Sequence, residues 1–136
     1  MKTKTIEEYV EIIHRIEEQD GQACTNSIAV AMGVKPPSIT EVLQKLQNEG
    51  YIHYIPYTGA TLTGRGKKLA EELGKKHRAI ADFLTVIGIS EDIAEIDACQ
   101  IEHHVNGETV RRLELLVYSI REDPDISSWF EDFSRS

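Results

Sequence analysis

Cys99, Glu102 and His103 stand at positions i, i+3 and i+4. On an α-helix that spacing stacks the three side chains on one face, so a thiolate, a carboxylate and an imidazole can converge on a single cation. Glu8 and Glu11 form a second pair at i and i+3, and His77 lies midway along a third helical stretch. Such a mixed donor set suits borderline first-row divalent ions (Fe²⁺, Mn²⁺, Co²⁺, Ni²⁺ or Zn²⁺) rather than Ca²⁺ or Mg²⁺. Each residue also has an ordinary reading. Glu8 can close a capping box with Thr5, Glu11 can be an exposed helix acid, His77 a core or surface histidine, Cys99 a small buried hydrophobe, and Glu102 with His103 a polar edge. What favours the metal reading is that three helices of one short chain each offer ligands. His104 points about 100° away from His103 and is assigned no role, and Cys24 reads as a packing residue.

The elements that must carry these residues follow from the hydrophobic pattern. Thr5-Ile6-Glu7-Glu8 has the form of a capping box, after which Tyr9, Ile12, Ile13 and Ile16 recur at helical spacing until Asp20-Gly21. A second, short helix starts after Thr25, with Ile28, Ala29, Ala31 and Met32 inward, and ends at Gly33. Pro36-Pro37 suits the first turn of a third helix with Ile39, Val42, Leu43 and Leu46 buried. Residues 50–63 read as two short strands around Tyr57-Thr58-Gly59. A long helix over about 63–86 places Leu69, Leu73, Ile80, Phe83 and Leu84 inward and carries His77. Gly88 then breaks the chain, and Ser90 caps the helix that holds Cys99, Glu102 and His103. Val110, Leu113, Leu116, Val117 and Ile120 follow the Asn106-Gly107 break as an apolar set, and Trp129, Phe130 and Phe133 make an aromatic end.

Three helices and a hairpin are the order of a winged helix-turn-helix. The fold class expected is therefore mainly α: a winged helix with a two-stranded wing over 1–73, then an all-helical metal-binding domain over 74–136, to which the family resemblance described below adds dimerisation. The outer face of the third helix offers small polar and basic groups of the kind that reach phosphates and base edges in a major groove. The expected DNA contacts are Lys35, Pro37, Ser38, Thr40, Gln44 and Lys45, with Tyr57 at the wing. Arg65, Lys67 and Lys68 put positive charge in the first turn of a helix, against the dipole preference, which points to an anion such as DNA phosphate.

The net charge of −8 does not contradict this, because the charge is unevenly placed. Residues 1–76 hold 10 Lys and Arg against 10 Asp and Glu, and residues 77–136 hold 5 against 13. Within 35–76 there are 7 basic and 4 acidic residues. Two cysteines far apart in a 136-residue chain are too few for a disulfide scaffold, and no stretch resembles a signal peptide or a membrane span. The expectation is a soluble, cytoplasmic protein with neither a membrane nor a small-molecule substrate as partner.

Together these segments resemble the iron- and manganese-dependent repressors of the diphtheria toxin repressor and manganese transport regulator family. The resemblance covers nearly the whole chain and is carried by Glu7-Glu8-Tyr9-Val10-Glu11, Pro36-Pro37-Ser38-Ile39-Thr40, Leu62-Thr63-Gly64-Arg65-Gly66-Lys67-Lys68, His77, and Ala98-Cys99-Gln100-Ile101-Glu102-His103. It implies a homodimeric, metal-dependent transcriptional repressor that binds a palindromic operator in double-stranded DNA and controls metal homeostasis. It also implies the short architecture without an SH3-like third domain. Glu8, Glu11, His77, Glu102 and His103 fall where the manganese branch has its ligands, with Glu8 in place of an aspartate. Cys99 replaces that branch's glutamate and matches the cysteine of the iron branch. The iron branch in turn has methionine at Glu8, and its ancillary acid and second histidine are here Ala81 and Ile96. The implied site is a hybrid with one bridging carboxylate fewer, and its thiolate favours Fe²⁺ first and Mn²⁺ next, with Co²⁺, Ni²⁺ or Zn²⁺ able to substitute.

On this reading the cation fixes the spacing of two recognition helices, and the operator selects that spacing. Two alternatives differ in kind. One is a winged-helix regulator that responds to an organic ligand, with the polar cluster purely structural. The other is a metalloenzyme, for which the chain offers no separate general base or nucleophile pair.

Overall fold

The computed structural model describes residues 1–136 and contains seven helices and one hairpin. In chain order these are α1 (Thr3–Asp20), α2 (Thr25–Met32), α3 (Pro36–Asn48), β1 (Ile52–Ile55), β2 (Gly59–Leu62), α4 (Gly64–Val86), α5 (Glu91–Ile101), α6 (Gly107–Glu122) and α7 (Pro124–Ser134). The chain divides into two compact units, Met1–Glu72 and Leu73–Ser136, and the division falls within α4. No helix is long and apolar enough to cross a membrane.

The first unit is built as the hydrophobic periodicity requires. Ile6, Tyr9, Val10 and Ile13 of α1 are buried with Ile28 and Ala29 of α2 and Ile39, Leu43 and Leu46 of α3. Ile52, Ala60 and Leu62 of the hairpin and Ala70 of α4 complete this core. Burying the largest of these side chains contributes about 1.5–3 kcal/mol apiece. The buried stripe of α1 is turned slightly from the expected one: Val10 is fully buried, while Ile12 and Ile16 are only partly so. The start of α1 also differs. It begins at Thr3 with Lys2 as N-cap and no side-chain capping bond, so Thr5 and Glu8 do not form a capping box. Both lie inside the helix, where Glu8 pairs instead with Lys4 at 3.8 Å.

Gly33 ends α2 in the left-handed conformation (φ 68°), which leads directly into the prolines that open α3. β1 and β2 pair antiparallel, Ile52 opposite Leu62 and Ile55 opposite Gly59. A bridge between Ala23 and Ala60 adds the segment before α2 to the edge of this hairpin. That approach explains Gly59: a Cβ there would lie 2.5 Å from the Ala23 carbonyl oxygen. Glu17 of α1 reaches the same strand, accepting a hydrogen bond from the Leu62 amide at 3.0 Å. Cys24 corrects the packing expectation. It is exposed, and its Sγ lies 2.9 Å from Ser27 Oγ. Hydrogen bonding to Ser27 lowers the thiol pKa from its usual value.

In the second unit, Ile80 and Ala81 of α4 pack on Ala98 of α5, with Leu84 and Val105 at the margin. Ser90 caps α5 by accepting from the Ile93 amide, Asn106 caps α6 through Glu108, and Asp123 caps α7 through Asp125 and Ile126. Val110, Val117 and Ile120 of α6 are buried, whereas Leu116 is exposed and Leu113 only partly covered. The aromatic residues of α7 cluster with one another: Trp129 stacks on Phe133 at 5.6 Å and meets Phe130 edge-on at 5.0 Å.

Candidate metal centre

Residues of α4 and α5 meet around the imidazole of His77. Its Nδ1 lies 3.0 Å from Glu102 Oε2 and 3.8 Å from Cys99 Sγ. Its other nitrogen, Nε2, lies 2.6 Å from Glu95 Oε2. Close packing makes this possible, because Ala81 and Ala98 are small enough to bring the two helix backbones together beside the site. The carboxylate of Glu102 is almost wholly buried, with 1% of its side chain exposed, and His103 Nε2 lies 3.6 Å from its Oε1. Desolvating a carboxylate is costly without cationic or hydrogen-bonding partners. A buried carboxylate gathered with imidazole and sulfur donors is therefore an arrangement to which a divalent cation fits chemically. Lys76, next to His77, donates to the Val105 carbonyl at 3.1 Å and ties α4 to the segment after α5.

The local geometry corrects one premise of the sequence reading. Cys99, Glu102 and His103 do not share a helix: α5 ends at Ile101, Glu102 is its C-cap, and His103 lies in the turn beyond. Glu102 keeps right-handed helical angles (φ −57°, ψ −28°), so it remains one turn on from Cys99. The position of His103 is set by the turn and not by i+4 stacking. His104 is exposed. Glu8 and Glu11 lie on α1 in the first unit, three residues apart and partly buried. Sequence reasoning missed Glu95. Its signal was present, since Glu95, Cys99 and Glu102 stand at i, i+4 and i+7, one stripe of a helix.

In the first unit, all ten residues expected to meet DNA are exposed: Lys35, Pro37, Ser38, Thr40, Gln44, Lys45, Tyr57, Arg65, Lys67 and Lys68. Pro37, Thr40 and Gln44 of α3 and Tyr57 of the hairpin border one cleft of about 530 Å³, which Cys24, Thr25 and Asn26 also line. Tyr57 stands at the hairpin tip with a positive φ of 65°. Two of the basic groups have partners. Lys45 pairs with Glu41 at 3.6 Å, an exposed contact worth little. Arg65 donates to the Glu49 carbonyl and to Tyr51 Oη at 3.1 Å, and its guanidinium lies 4.3 Å from the centre of the Tyr51 ring. Arg65 thus clamps the end of α3 to the start of α4, whereas Lys67 and Lys68 have no such structural task among the contacts seen.

Comparison with known proteins agrees with both halves of this picture. The family model described as "Iron dependent repressor, N-terminal DNA binding domain" matches residues 1–60. That described as "Iron dependent repressor, metal binding and dimerisation domain" matches residues 63–131. The chain is 37% identical over 126 residues to the HTH-type transcriptional regulator MntR of Lysinibacillus sphaericus, covering 93% of this chain and 91% of that one. It is also 37% identical over 123 residues to MntR of Bacillus subtilis, covering 90% and 87%. Among solved structures, the manganese regulator SloR superposes with a TM-score of 0.69 at 32% identity over 83% of this chain. The chain spans about half that structure's length, 53%. The chain therefore belongs to the iron-dependent repressor family, the DtxR and MntR group of metal-dependent transcriptional regulators, which are DNA-binding and dimerising proteins and not enzymes.

Proposed function

We propose that this chain is a cytoplasmic, homodimeric repressor that binds a palindromic double-stranded operator when loaded with Fe²⁺, with Mn²⁺ the next-best corepressor, and so controls genes of metal uptake. The observation that carries this reading is the convergence of imidazole, carboxylate and thiol at His77. The proposed donors are His77, Cys99, Glu102 and His103 of the second unit, with Glu8 and Glu11 added on the strength of the family resemblance. Cys99 supports the iron preference, because a soft sulfur donor raises affinity for Fe²⁺ more than for the harder Mn²⁺.

When bound, the cation supplies positive charge that neutralises the carboxylates and holds the donors in one arrangement. The protein's own residues do the recognition. α3 offers Ser38, Thr40, Gln44 and Lys45 to base edges and phosphates, Lys35 and Pro37 stand at its start, Tyr57 extends the wing, and Lys67 and Lys68 neutralise phosphate. Half-sites on B-DNA recur about 34–36 Å apart or at multiples of that distance. A dimer whose recognition helices favour that spacing loses less freedom on binding, so metal loading raises operator affinity by shifting population.

The test uses duplexes selected from a randomised pool by the Fe²⁺-loaded protein under anaerobic conditions, with affinity read by fluorescence anisotropy. Affinity at least tenfold higher with Fe²⁺ than with EDTA, on duplexes of two-fold symmetric sequence, is the expected result. Equal affinity in EDTA would sink the metal-gated reading and favour a regulator that responds to something else.

A further inference from the structure

We propose that Glu95 is a positioning residue for His77: it holds the Nε2–H of the imidazole, so that Nδ1 is the nitrogen presented to the cation. This rests on the metal site proposed above. It adds to that site a residue that provides no ligand atom.

The imidazole of His77 has two unlike edges. At Nδ1 stand the buried Glu102 carboxylate and the Cys99 sulfur, 3.0 and 3.8 Å away. At Nε2 stands a single carboxylate, that of Glu95, 2.6 Å away and 64% exposed. A carboxylate can only accept a hydrogen bond, so the short contact at Nε2 requires the proton there. A neutral imidazole carries one N–H. Glu102 makes the same demand on Nδ1 at 3.0 Å, but a cation gathered with Glu102 and Cys99 would replace that proton and take the Nδ1 lone pair, leaving the single N–H committed to Glu95. Partners of this kind fix the ring's tautomer and orientation and raise its basicity as a ligand.

Glu95 has its backbone held in place by its helix. It shares the α5 stripe with Cys99 and Glu102, and its neighbours Ala94 and Ala98 are buried, which fixes the rotation of α5. An exposed ion pair contributes little to folding. Loss of Glu95 therefore leaves stability nearly unchanged and acts on the metal, an effect that a merely structural contact would not produce.

The full-length protein is compared with Glu95→Ala, Glu95→Gln, His77→Ala and the double variant Glu95→Ala/His77→Ala. Co²⁺ affinity is measured by chelator competition, the cobalt–thiolate absorption is recorded, and the ring nitrogens of His77 are followed by long-range ¹H–¹⁵N NMR on Zn²⁺-loaded protein. Expected results are a roughly tenfold weaker Co²⁺ affinity in Glu95→Ala and near-normal affinity in Glu95→Gln, whose amide oxygen still accepts. The double variant should be no weaker than His77→Ala alone. The wild-type spectrum should show a proton on Nε2 that resists solvent exchange, and Glu95→Ala should lose that resistance. If His77→Ala weakens Co²⁺ binding while Glu95→Ala does not, or if Nε2 proves to be the metal-bound nitrogen, the role of Glu95 is overturned and the metal site stands. If His77→Ala leaves both the affinity and the thiolate band unchanged, the metal site as proposed is overturned as well.

Discussion

Gly66 and Gly74 lie on the same helix, and substituting alanine at each should move stability in opposite directions. Alanine in a helix interior is ordinarily better than glycine by about 0.5–1 kcal/mol. At Gly74 the new Cβ would meet only the Arg78 guanidinium, at 3.5 Å, an ordinary contact with a flexible side chain. Gly74→Ala should therefore stabilise by about that amount. At Gly66 the Cβ would lie 2.2 Å from the Tyr51 carbonyl oxygen and 3.1 Å from Leu62 Cδ2. The carbonyl must retreat by about 1 Å, an overpacking strain that typically costs 1–3 kcal/mol. The retreat also disturbs the bond from the Thr63 amide to that same oxygen, 3.0 Å long, at about 1 kcal/mol. Setting the helical gain against both leaves Gly66→Ala less stable by about 2 kcal/mol. In urea titrations followed by circular dichroism, that corresponds to a midpoint lower by about 1 M. The displaced carbonyl belongs to Tyr51, the residue on which Arg65 stacks, so operator affinity should fall in the same variant. A Gly66→Ala midpoint at or above the wild type would refute the reasoning, and with it the claim that close contact between α4 and the start of the wing selects glycine here.

Two further outcomes follow from the proposed sites. Cys99→Glu exchanges a soft donor for a hard one beside His77, so the Fe²⁺ to Mn²⁺ preference in operator binding should shift toward Mn²⁺; an unchanged preference under anaerobic titration would remove Cys99 as the selectivity ligand. Lys67→Ala and Lys68→Ala should each weaken binding to all duplexes alike and lower the slope of log affinity against log salt by about 1. A loss confined to one sequence would instead make that lysine a base reader.

The chemistry of the chain was legible early because it depends on residue type and periodicity. Gly33 followed by two prolines marks the turn into α3, and Ile39, Leu43 and Leu46 mark its buried face whatever surrounds them. The same holds for Ser90 and Asn106 as helix caps, which act on amides two or three residues away. Local rules were less secure where two of them competed. Thr5 and Glu8 match a capping box, yet the helix extends past them to Thr3, and Glu8 is then close enough to pair with Lys4.

By itself the sequence determined the order of elements, the winged-helix pattern and the donor types, since burial periodicity, turn residues and side-chain chemistry are all properties of short segments. Tertiary structure alone decided which edge of His77 meets sulfur and which meets Glu95, because that depends on how closely α4 and α5 approach across Ala81 and Ala98. It alone committed the Arg65 guanidinium to Glu49 and Tyr51, although Arg65 is exposed, as Lys67 and Lys68 are. It also ended α5 at Ile101, so that His103 reaches Glu102 from a turn. Contacts between residues distant in sequence are set by packing, and packing is summed over the whole fold.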